Sequence, residues 1–508
     1  MAELVQPKKI AKNTLMLYFR QILVMLVSLY TVRVVLNVLG AEDYGIYNVV
    51  AGVVTMFNFL SSSMATASQR YFSYDLGKND AEHLKVTFSV TFQIYIILCV
   101  IIFILAETLG IWFVNNKLVI PTERLFAANC IYQTATFSFI LSIITAPYMA
   151  CVISHEKMGV FAYVSIIECI LKLCVVFALR FILIDKLILY GILLSLVALI
   201  NTSIYRIYCH KKFDECRFKI YKDKDLFKEL VSYSSWNLFG SSVGVVKNQI
   251  INILLNLYFG PIVNAARGIS HQVSNAVNSF GQNFTVAMRP QIIKSYAAEN
   301  TEECLNLVYR GCKLTFLMML IFILPLELKM DFVLNLWLKN PPDNAILFTR
   351  IILLDCLIDS LNYQIMTLAQ ATGKIKLYQS VVGGILLCNL PVSYFALRLG
   401  APAYSVLLVS LGLTVIAMIV RLLIIKRLTD FSILNFLIKT VVPCFIVLLA
   451  STGISFFFSR LLKEGVVGFV LTVFISVLAV GIFGYFIGLS KQEKVLARNL
   501  LGKVIRKK

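Results

Sequence analysis

Apolar runs of about 20 residues, the length that an α-helix needs to cross a bilayer, recur from one end of the chain to the other. The polar segments between them are short. Because 59% of the residues are hydrophobic and only 15% are charged, the composition does not fit a soluble domain. The runs are continuous and do not alternate over about ten residues, which favours helices over a β-barrel. The sequence therefore predicts an all-α polytopic membrane protein.

The criterion of about 20 apolar residues per span gives about 14 transmembrane helices. The longest polar segment between spans is residues 211–228, which we interpret as a linker between two halves. The predicted organisation is an N-terminal six-helix lobe (1–210), a basic cytoplasmic linker (211–228), a C-terminal six-helix lobe (229–430), a two-helix hairpin (431–490) and a basic cytoplasmic tail (491–508).

Lysine and arginine are distributed unequally between alternate loops. With the N-terminus inside, the inner segments carry about 31 of these residues and the outer segments about 9. The positive-inside rule then places both termini and the linker in the cytoplasm. This distribution also explains the net charge of +20, so no nucleic-acid partner is expected.

A repeat relates the two lobes. The first helix ends at Gly40 and the seventh at Gly260, and each is followed by a helix that ends at an arginine, Arg70 or Arg289. Because six is an even number, both lobes enter the membrane in the same sense. The repeat is therefore parallel, with a pseudo-twofold axis along the membrane normal.

Each of these following helices has one polar face. Polar residues recur at steps of three or four, which places them on one stripe of an α-helix. In the eighth helix the stripe consists of Asn264, Arg267, His271, Asn275, Asn278, Gln282, Thr285 and Arg289. In the second helix it consists of Asn48, Gly52, Thr55, Asn58, Ser62, Thr66 and Arg70. An unsatisfied polar group in hydrocarbon costs several kcal/mol, so both stripes must line the bundle interior or a wet cavity.

Four basic residues lie within predicted spans, namely Arg20, Arg33, Lys247 and Arg267. A charge inside the membrane marks function unless it is paired or reaches the interface, and interfacial anchoring is the alternative for the first two. The excess of positive charge favours an anionic substrate, since guanidinium binds phosphate through paired hydrogen bonds. The second-lobe stripe carries Arg267 and His271 where the first carries an amide and a glycine. Phosphate is therefore expected nearer to the second lobe.

Two carboxylates of the tenth span, Asp355 and Asp359, are four residues apart and carry the same charge. They repel each other unless one is protonated or a cation bridges them, so they are candidates for an ion-coupling site for H⁺ or Na⁺. The alternative is that they pair with Arg350 or with a basic residue of the first helix. Glu168 and Lys172 have opposite charges at the same spacing and are predicted to pair.

Other kinds of chemistry find no support in the sequence. No GxxxxGK[ST] loop is present, so no ATP site is predicted. The twelve cysteines contain no CxxC pair, and the four histidines have no second ligand at metal spacing. We therefore predict no catalytic residues, no metal site and no cofactor apart from the coupling ion.

Several stretches resemble polysaccharide-export flippases of the Wzx type: Asn13, Thr14 and Arg20, then residues 34–40 (VVLNVLG), 43–48 (DYGIYN) and 68–72 (SQRYF). Such flippases belong to the multidrug/oligosaccharidyl-lipid/polysaccharide (MOP) superfamily, together with the MATE exporters. The resemblance implies a MATE-like bundle of two lobes around a cavity that opens to each side of the membrane in turn.

The resemblance also implies a transporter, not an enzyme, in the bacterial cytoplasmic (inner) membrane. Its substrate would be an undecaprenyl-diphosphate-linked oligosaccharide, moved from the inner to the outer leaflet for surface polysaccharide such as lipopolysaccharide O-antigen. Its partners would be membrane lipids, a polysaccharide polymerase and glycosyltransferases. The residues expected to bind the diphosphate are Arg20, Arg33, Lys247 and Arg267. Those expected to complete the substrate site are His271, Asn275, Asn278, Asn48 and Asn58.

Two alternatives remain open. An ion-coupled, MATE-like exporter of small amphiphiles would depend on Asp355 and Asp359, although the first two spans lack the acids that such exporters use for cationic drugs. A membrane enzyme such as an O-antigen polymerase or ligase would need a large outer loop, and the predicted outer loops are short.

Overall fold

The computed structural model describes residues 7–55, 58–116, 118, 120–179, 185–338, 341–462, 465–490 and 493–495. Within these residues the chain is helical almost throughout and contains no β-strand. It divides into two compact units. The first unit is Lys12–Leu238, and the second unit consists of Met1–Ala11 and Phe239–Lys508. The boundary falls inside a helix, beyond the predicted linker at 211–228.

The first unit is organised around α5, which packs against α2, α3 and α7. Large side chains on several faces of α5 are buried, among them Tyr132, Phe139 and Ile143. A π-helical turn, Ala106–Gly110, joins α3 to α4. The helices are α1 (Pro7–Thr55), α2 (Asn58–Lys78), α3 (Ala81–Leu105), α4 (Ile111–Asn116), α5 (Leu125–Ser154), α6 (Met158–Ala178) and α7 (Lys186–Lys212).

The second unit is organised around α10, which packs against α9, α12 and α13 and buries Phe316, Met319 and Leu320. The unit boundary lies within α8 (Lys224–Phe259). The remaining helices are α9 (Pro261–Ala297), α10 (Thr301–Leu328), α11 (Met330–Leu338), α12 (Ala345–Ser360), α13 (Tyr363–Ala371), α14 (Ile375–Leu387), α15 (Asn389–Arg398), α16 (Ser405–Leu428), α17 (Ile433–Phe436), α18 (Val442–Leu461) and α19 (Val466–Phe483).

Two glycines make the same backbone turn at the ends of the first and seventh predicted spans. Gly40 interrupts α1 with φ 82° and ψ 168°, and Gly260 separates α8 from α9 with φ 79° and ψ −173°. This region of conformation is open to glycine and strongly disfavoured for residues with a Cβ. No neighbouring atom lies within 4 Å of where a Cβ would be at either position. The glycines are therefore required by the backbone and not by lack of space.

Further turns recur between the two units. Asn79 (φ 56°) and Glu299 (φ 59°) are left-handed residues, and each precedes a side chain, Asp80 or Asn300, that caps the next helix. Gly260 follows Gly40 by 220 residues, and Glu299 follows Asn79 by 220 residues. These shared turns support the internal repeat. They align the two polar stripes one residue away from the spacing of 219 at which Arg289 follows Arg70.

Eleven helical segments of the described chain are long and apolar enough to cross a membrane. The prediction of a multi-pass, all-helical membrane protein is therefore confirmed. The predicted count of about 14 includes three further spans, 45–70, 261–289 and 345–371. Helices occupy these positions as well, in α1 and α2, in α9, and in α12 and α13. Their polar residues keep them outside the apolar set, so the count of 14 stays a prediction.

Candidate functional site

The polar stripe of α9 lines a cavity of about 320 Å³ in the second unit. Side chains of α8, α12 and α16 complete the lining. The cavity brings together seven of the residues predicted from the sequence as substrate-binding or ion-coupling groups. They are Lys247, Arg267, His271, Asn275, Asn278, Asp355 and Asp359.

Arg267 is the most buried cation of this cavity, with 4% of its surface exposed. Its guanidinium donates to the side-chain oxygens of Asn252 and of Asn248, the latter at 3.2 Å. Both acceptors are neutral amides of α8. Among the described residues no carboxylate forms an ion pair with Arg267 or with Lys247. The positive charge at this end of the cavity is therefore held in place by dipoles and is not neutralised.

Neutral donors and acceptors continue along α9. The Asn275 amide donates to His271 Nδ1 at 2.8 Å, which leaves Nε2 of a neutral ring as a donor. Tyr363 donates its hydroxyl to Asn278 Oδ1 at 3.2 Å. Asn275 is exposed, and His271 and Asn278 are half-buried. These groups offer hydrogen bonds to a ligand without adding charge.

The two carboxylates occupy different environments, although they are four residues apart. Asp359 accepts a hydrogen bond from Arg421 Nη1 at 2.9 Å and one from Asn362 at 3.2 Å. Asp355 accepts a weak bond from Ser410 at 3.4 Å through Oδ2, while its Oδ1 is buried and has no hydrogen-bond partner in the described chain. One carboxylate is thus part of an ion pair and the other is not.

The alternative in which these carboxylates pair with Arg350 is wrong. Arg350 Nη2 instead lies 2.7 Å from Asp331 Oδ2 of α11. Arg421 takes the role of partner, and sequence reasoning missed it because it was counted with the basic residues of a cytoplasmic segment beginning at 421. The available signal was its separation from the basic pair Lys426 and Arg427 by four apolar residues.

The predicted tenth span, 345–371, is not one continuous helix. It is divided into α12 and α13 at Leu361 and Asn362, directly after Asp359. Interrupted helices are common at the substrate and ion sites of membrane transporters, because the interruption frees backbone groups and sets side-chain direction. Here the interruption positions Asn362 to donate to Asp359.

The stripe extends beyond the first cavity. A second cavity of about 180 Å³ is lined by Gln282, Thr285 and Arg289 from α9. The two cavities share the lining residues Asp359, Tyr363 and Arg421. Thr285 accepts a hydrogen bond from Gln364 at 3.3 Å. The polar face predicted for 261–289 therefore lines one continuous polar region of the second unit.

The remaining predicted site residues belong to the first unit. Arg20 stacks on Phe161, with 4.6 Å between the guanidinium carbon and the ring centroid. The predicted pair of Glu168 and Lys172 is confirmed at 2.6 Å, and it lines a separate cavity of about 410 Å³. Three predicted residues have side chains outside the part of the chain that the structure describes, namely Arg33, Asn48 and Asn58.

The profile of the polysaccharide biosynthesis protein family matches residues 10–288, which is more than half of the chain of 508 residues. The chain belongs to the polysaccharide biosynthesis protein family. The resemblance found in the sequence is thereby confirmed, and this family comprises membrane transporters and not enzymes, as predicted. No curated protein matches the chain.

Solved structures place this family member in the MATE-like fold. The MATE transporter ClbM in complex with Rb⁺ is similar with a TM-score of 0.68 at 14% identity, covering 84% of this chain and 96% of ClbM. An outward-facing multidrug resistance MATE transporter of the MOP superfamily gives 0.70 at 13% identity, covering 82% and 95%. A MOP superfamily transporter from Pyrococcus furiosus gives 0.67 at 11% identity, covering 82% and 95%. At these identities the likeness concerns the fold alone.

Proposed function

We propose that this polysaccharide biosynthesis transporter is a flippase for an undecaprenyl-diphosphate-linked oligosaccharide. It would move the lipid-linked sugar from the inner to the outer leaflet of the bacterial cytoplasmic membrane by alternating access. The observation that carries the proposal is the clustering of Lys247, Arg267 and hydrogen-bonding side chains around one cavity. Family membership supplies the substrate class.

The charge in this cavity suits a diphosphate. Asp359 is neutralised by Arg421, which leaves Lys247 and Arg267 against Asp355. The balance is positive by one charge with Asp355 ionised and by two with Asp355 protonated. Arg267 is already oriented by Asn248 and Asn252, so little side-chain entropy remains to be lost when an anion binds.

The neutral part of the stripe suits the oligosaccharide. Asn275 and Gln282 are exposed, and each side chain offers both donors and acceptors to sugar hydroxyls. They lie on the same face of α9 as Arg267, at eight and fifteen residues from it. At 1.5 Å per residue these amides lie about 12 and 22 Å along the helix, a span suited to several sugar units.

Asp355 is the carboxylate that we propose for ion coupling, with H⁺ or Na⁺ as the coupling ion. It has no ion-pair partner among the described residues, one oxygen lacks any hydrogen bond, and it lines the same cavity as Lys247. Neutralising it would raise the positive charge available to the substrate. Ion binding and substrate binding would then be linked.

An ion-coupled exporter of small amphiphiles is the second candidate, favoured by one observation. Both Asp355 and Asp359 line the cavity, as an exporter of cations would need. The Pyrococcus furiosus transporter is described as having a binding pocket of reversed polarity that suggests a different function, so pocket charge varies within this fold. In the present cavity basic groups outnumber acids, which favours an anionic cargo.

Alanine variants of the two unpaired cations test the proposal. Arg267→Ala and Lys247→Ala should abolish surface polysaccharide while the protein remains in the membrane at the normal level. Arg350→Ala is the matched control, because Arg350 pairs with the half-exposed Asp331 and does not line the cavity. Polysaccharide would be measured on gels and the protein by immunoblotting of membranes.

Normal polysaccharide in both cavity variants would contradict the assignment of the site. Loss of drug resistance in Asp355→Asn, with surface polysaccharide unchanged, would favour the exporter instead. Genes for glycosyltransferases and a polymerase beside this gene would support the glycan substrate and the proposed partners. Both termini are proposed to lie in the cytoplasm, which reporter fusions at each end would test.

A further inference from the structure

Five potential metal ligands meet at one end of the first unit, away from the polar stripe. Cys151 and His155 are four residues apart at the C-terminal end of α5, so they share one helix face. Glu215 and Cys216 belong to the 3₁₀ turn Asp214–Cys216 that follows α7, and Cys209 lies near the end of α7.

The donor atoms converge. The ligand atoms of Cys151, His155 and Glu215 all lie within 4.8 Å of one another. The sulfurs of Cys151 and Cys216 are 3.5 Å apart, and Glu215 Oε1 is 3.5 Å from Cys151 Sγ and 2.5 Å from His155 Nε2. Zinc bonds of 2.0–2.3 Å in tetrahedral geometry place donors about 3.3–3.8 Å apart. The two thiol distances fit this range, and an ion would replace the short contact between His155 and Glu215.

The surroundings are those of a closed structural site. Cys151 and Cys216 are at most 1% exposed, and Glu215 is 8% exposed. The His155 ring stacks on Phe213 with 4.1 Å between centroids, which fixes its orientation. The buried Cys209 thiol contacts Cys216 and the backbone oxygen of Tyr148. Closed sites with thiolate and imidazole ligands are typical of structural zinc.

The simpler interpretation is an ion pair of His155 and Glu215 with cysteines as small packing residues. That pair does not account for two thiols in contact with each other and with the carboxylate. The equivalent turn of the second unit also argues against a purely architectural role. Lys374 there has the same backbone angles as Lys157, yet the positions matching Cys151 and His155 are Leu368 and Thr372. The turn forms without these ligands.

We propose that Cys151, His155, Glu215 and Cys216 bind a structural Zn²⁺ ion. The ion joins the end of α5 to the turn after α7 and thereby fixes the start of the basic segment 217–224. Cys209 supports the site by packing against Cys216 and is not a ligand. The site is independent of the transported cargo.

Metal analysis of the purified full-length chain in detergent, prepared without a polyhistidine tag, tests the proposal. About one Zn²⁺ per chain is expected in the wild type, with loss of zinc in Cys151→Ser and in Cys216→Ser. Cys444→Ser is the matched control, because Cys444 is equally buried but lies in the second unit. Co²⁺ added to the metal-free chain should give thiolate-to-cobalt charge-transfer absorption that Cys216→Ser abolishes.

Wild-type protein that binds neither zinc nor cobalt would overturn the proposal. Retention of zinc by Glu215→Gln together with loss in Cys209→Ser would overturn the assigned ligand set. Should the serine variants fail to accumulate, the wild type itself decides. A chelator should then speed proteolysis within 217–224, and unchanged cleavage would contradict the site.

Discussion

Arg421 and Asp359 form an ion pair of 2.9 Å that links α16 to α12, although the two residues are 62 positions apart in the chain. The arginine side chain is 11% exposed and the aspartate side chain 41%. Asp355, one helical turn away, has no such partner in the described chain. The pair therefore separates two neighbouring carboxylates into a structural group and a group that is free to bind an ion.

Asp359→Asn should lower thermal stability, because it leaves the buried charge of Arg421 without a counter-charge. We expect a loss of about 1–2 kcal/mol, less than for a fully buried pair because Asp359 is partly exposed. Thermal unfolding in detergent would measure it. Asp355→Asn, the matched control, should be close to neutral, and adding Arg421→Gln to Asp359→Asn should recover part of the loss. Equal effects of the two asparagine variants would contradict this assignment.

Gly260→Ala should destabilise the protein by about 1–3 kcal/mol through backbone strain alone, since no atom lies within 4 Å of the added Cβ. Gly268→Ala is the control, because it has equally free space but lies inside α9 with ordinary helical geometry. Alanine should be neutral or slightly stabilising there. Denaturation of both variants in the same detergent checks the prediction, which fails if Gly260→Ala is as stable as Gly268→Ala.

Glu493→Gln should loosen the segment that follows the last helix. Glu493 lies 2.6 Å from Lys313 Nζ of α10, and both side chains are at most 7% exposed. Removing one partner of a buried ion pair costs about 3–5 kcal/mol, because the other charge remains buried. Thermal unfolding and protease access to residues after 490 would report the loss. The matched control is Glu302→Gln, an exposed carboxylate of the first turn of α10, which should have little effect.

Asp185→Asn should destabilise the first unit in a pH-dependent way. Burial alone would raise the pKa of Asp185, but hydrogen bonds from Arg124 and from the backbone amides of Ile188 and Leu187 outweigh it, so the pKa is lowered. A lowered carboxyl pKa gives stability that is present above the unfolded value of about 4 and is lost as the pH falls through the folded value.

The stability difference between the wild type and Asp185→Asn should therefore be full above about pH 5 and shrink below about pH 4. Unfolding midpoints measured across this range would test it. A difference that stays constant down to the acid limit would show that the carboxylate charge is not involved.

The membrane fold and much of the cavity could be predicted from the sequence because both depend on local patterns. Apolar runs predict helices, and steps of three or four residues place Arg267, His271 and Asn275 on one face. The depth of Lys247 within a long apolar helix also marked it. No side-chain geometry was needed for these predictions.

The rest depends on pairs that are distant in sequence. Arg421 meets Asp359 because α16 crosses α12, and Cys151 meets Glu215 because a turn after α7 folds back onto α5. Helical periodicity contains no information about such crossings. The interruption at Leu361 and Asn362 was also hidden, since it contains neither glycine nor proline, the usual signals of a helix end.

The polarity of α9 has a consequence for how the protein is made. A helix with Arg267, His271 and several amides on one face gains too little from lipid contact to leave the insertion machinery unaided, because each charged residue at mid-membrane costs about 2.5–3.5 kcal/mol on that scale. The apolar neighbours α8 and α10 must therefore be synthesised before it is released. Folding of the second unit thus begins during translation, with a hairpin or triplet of helices as the smallest unit that can enter the bilayer.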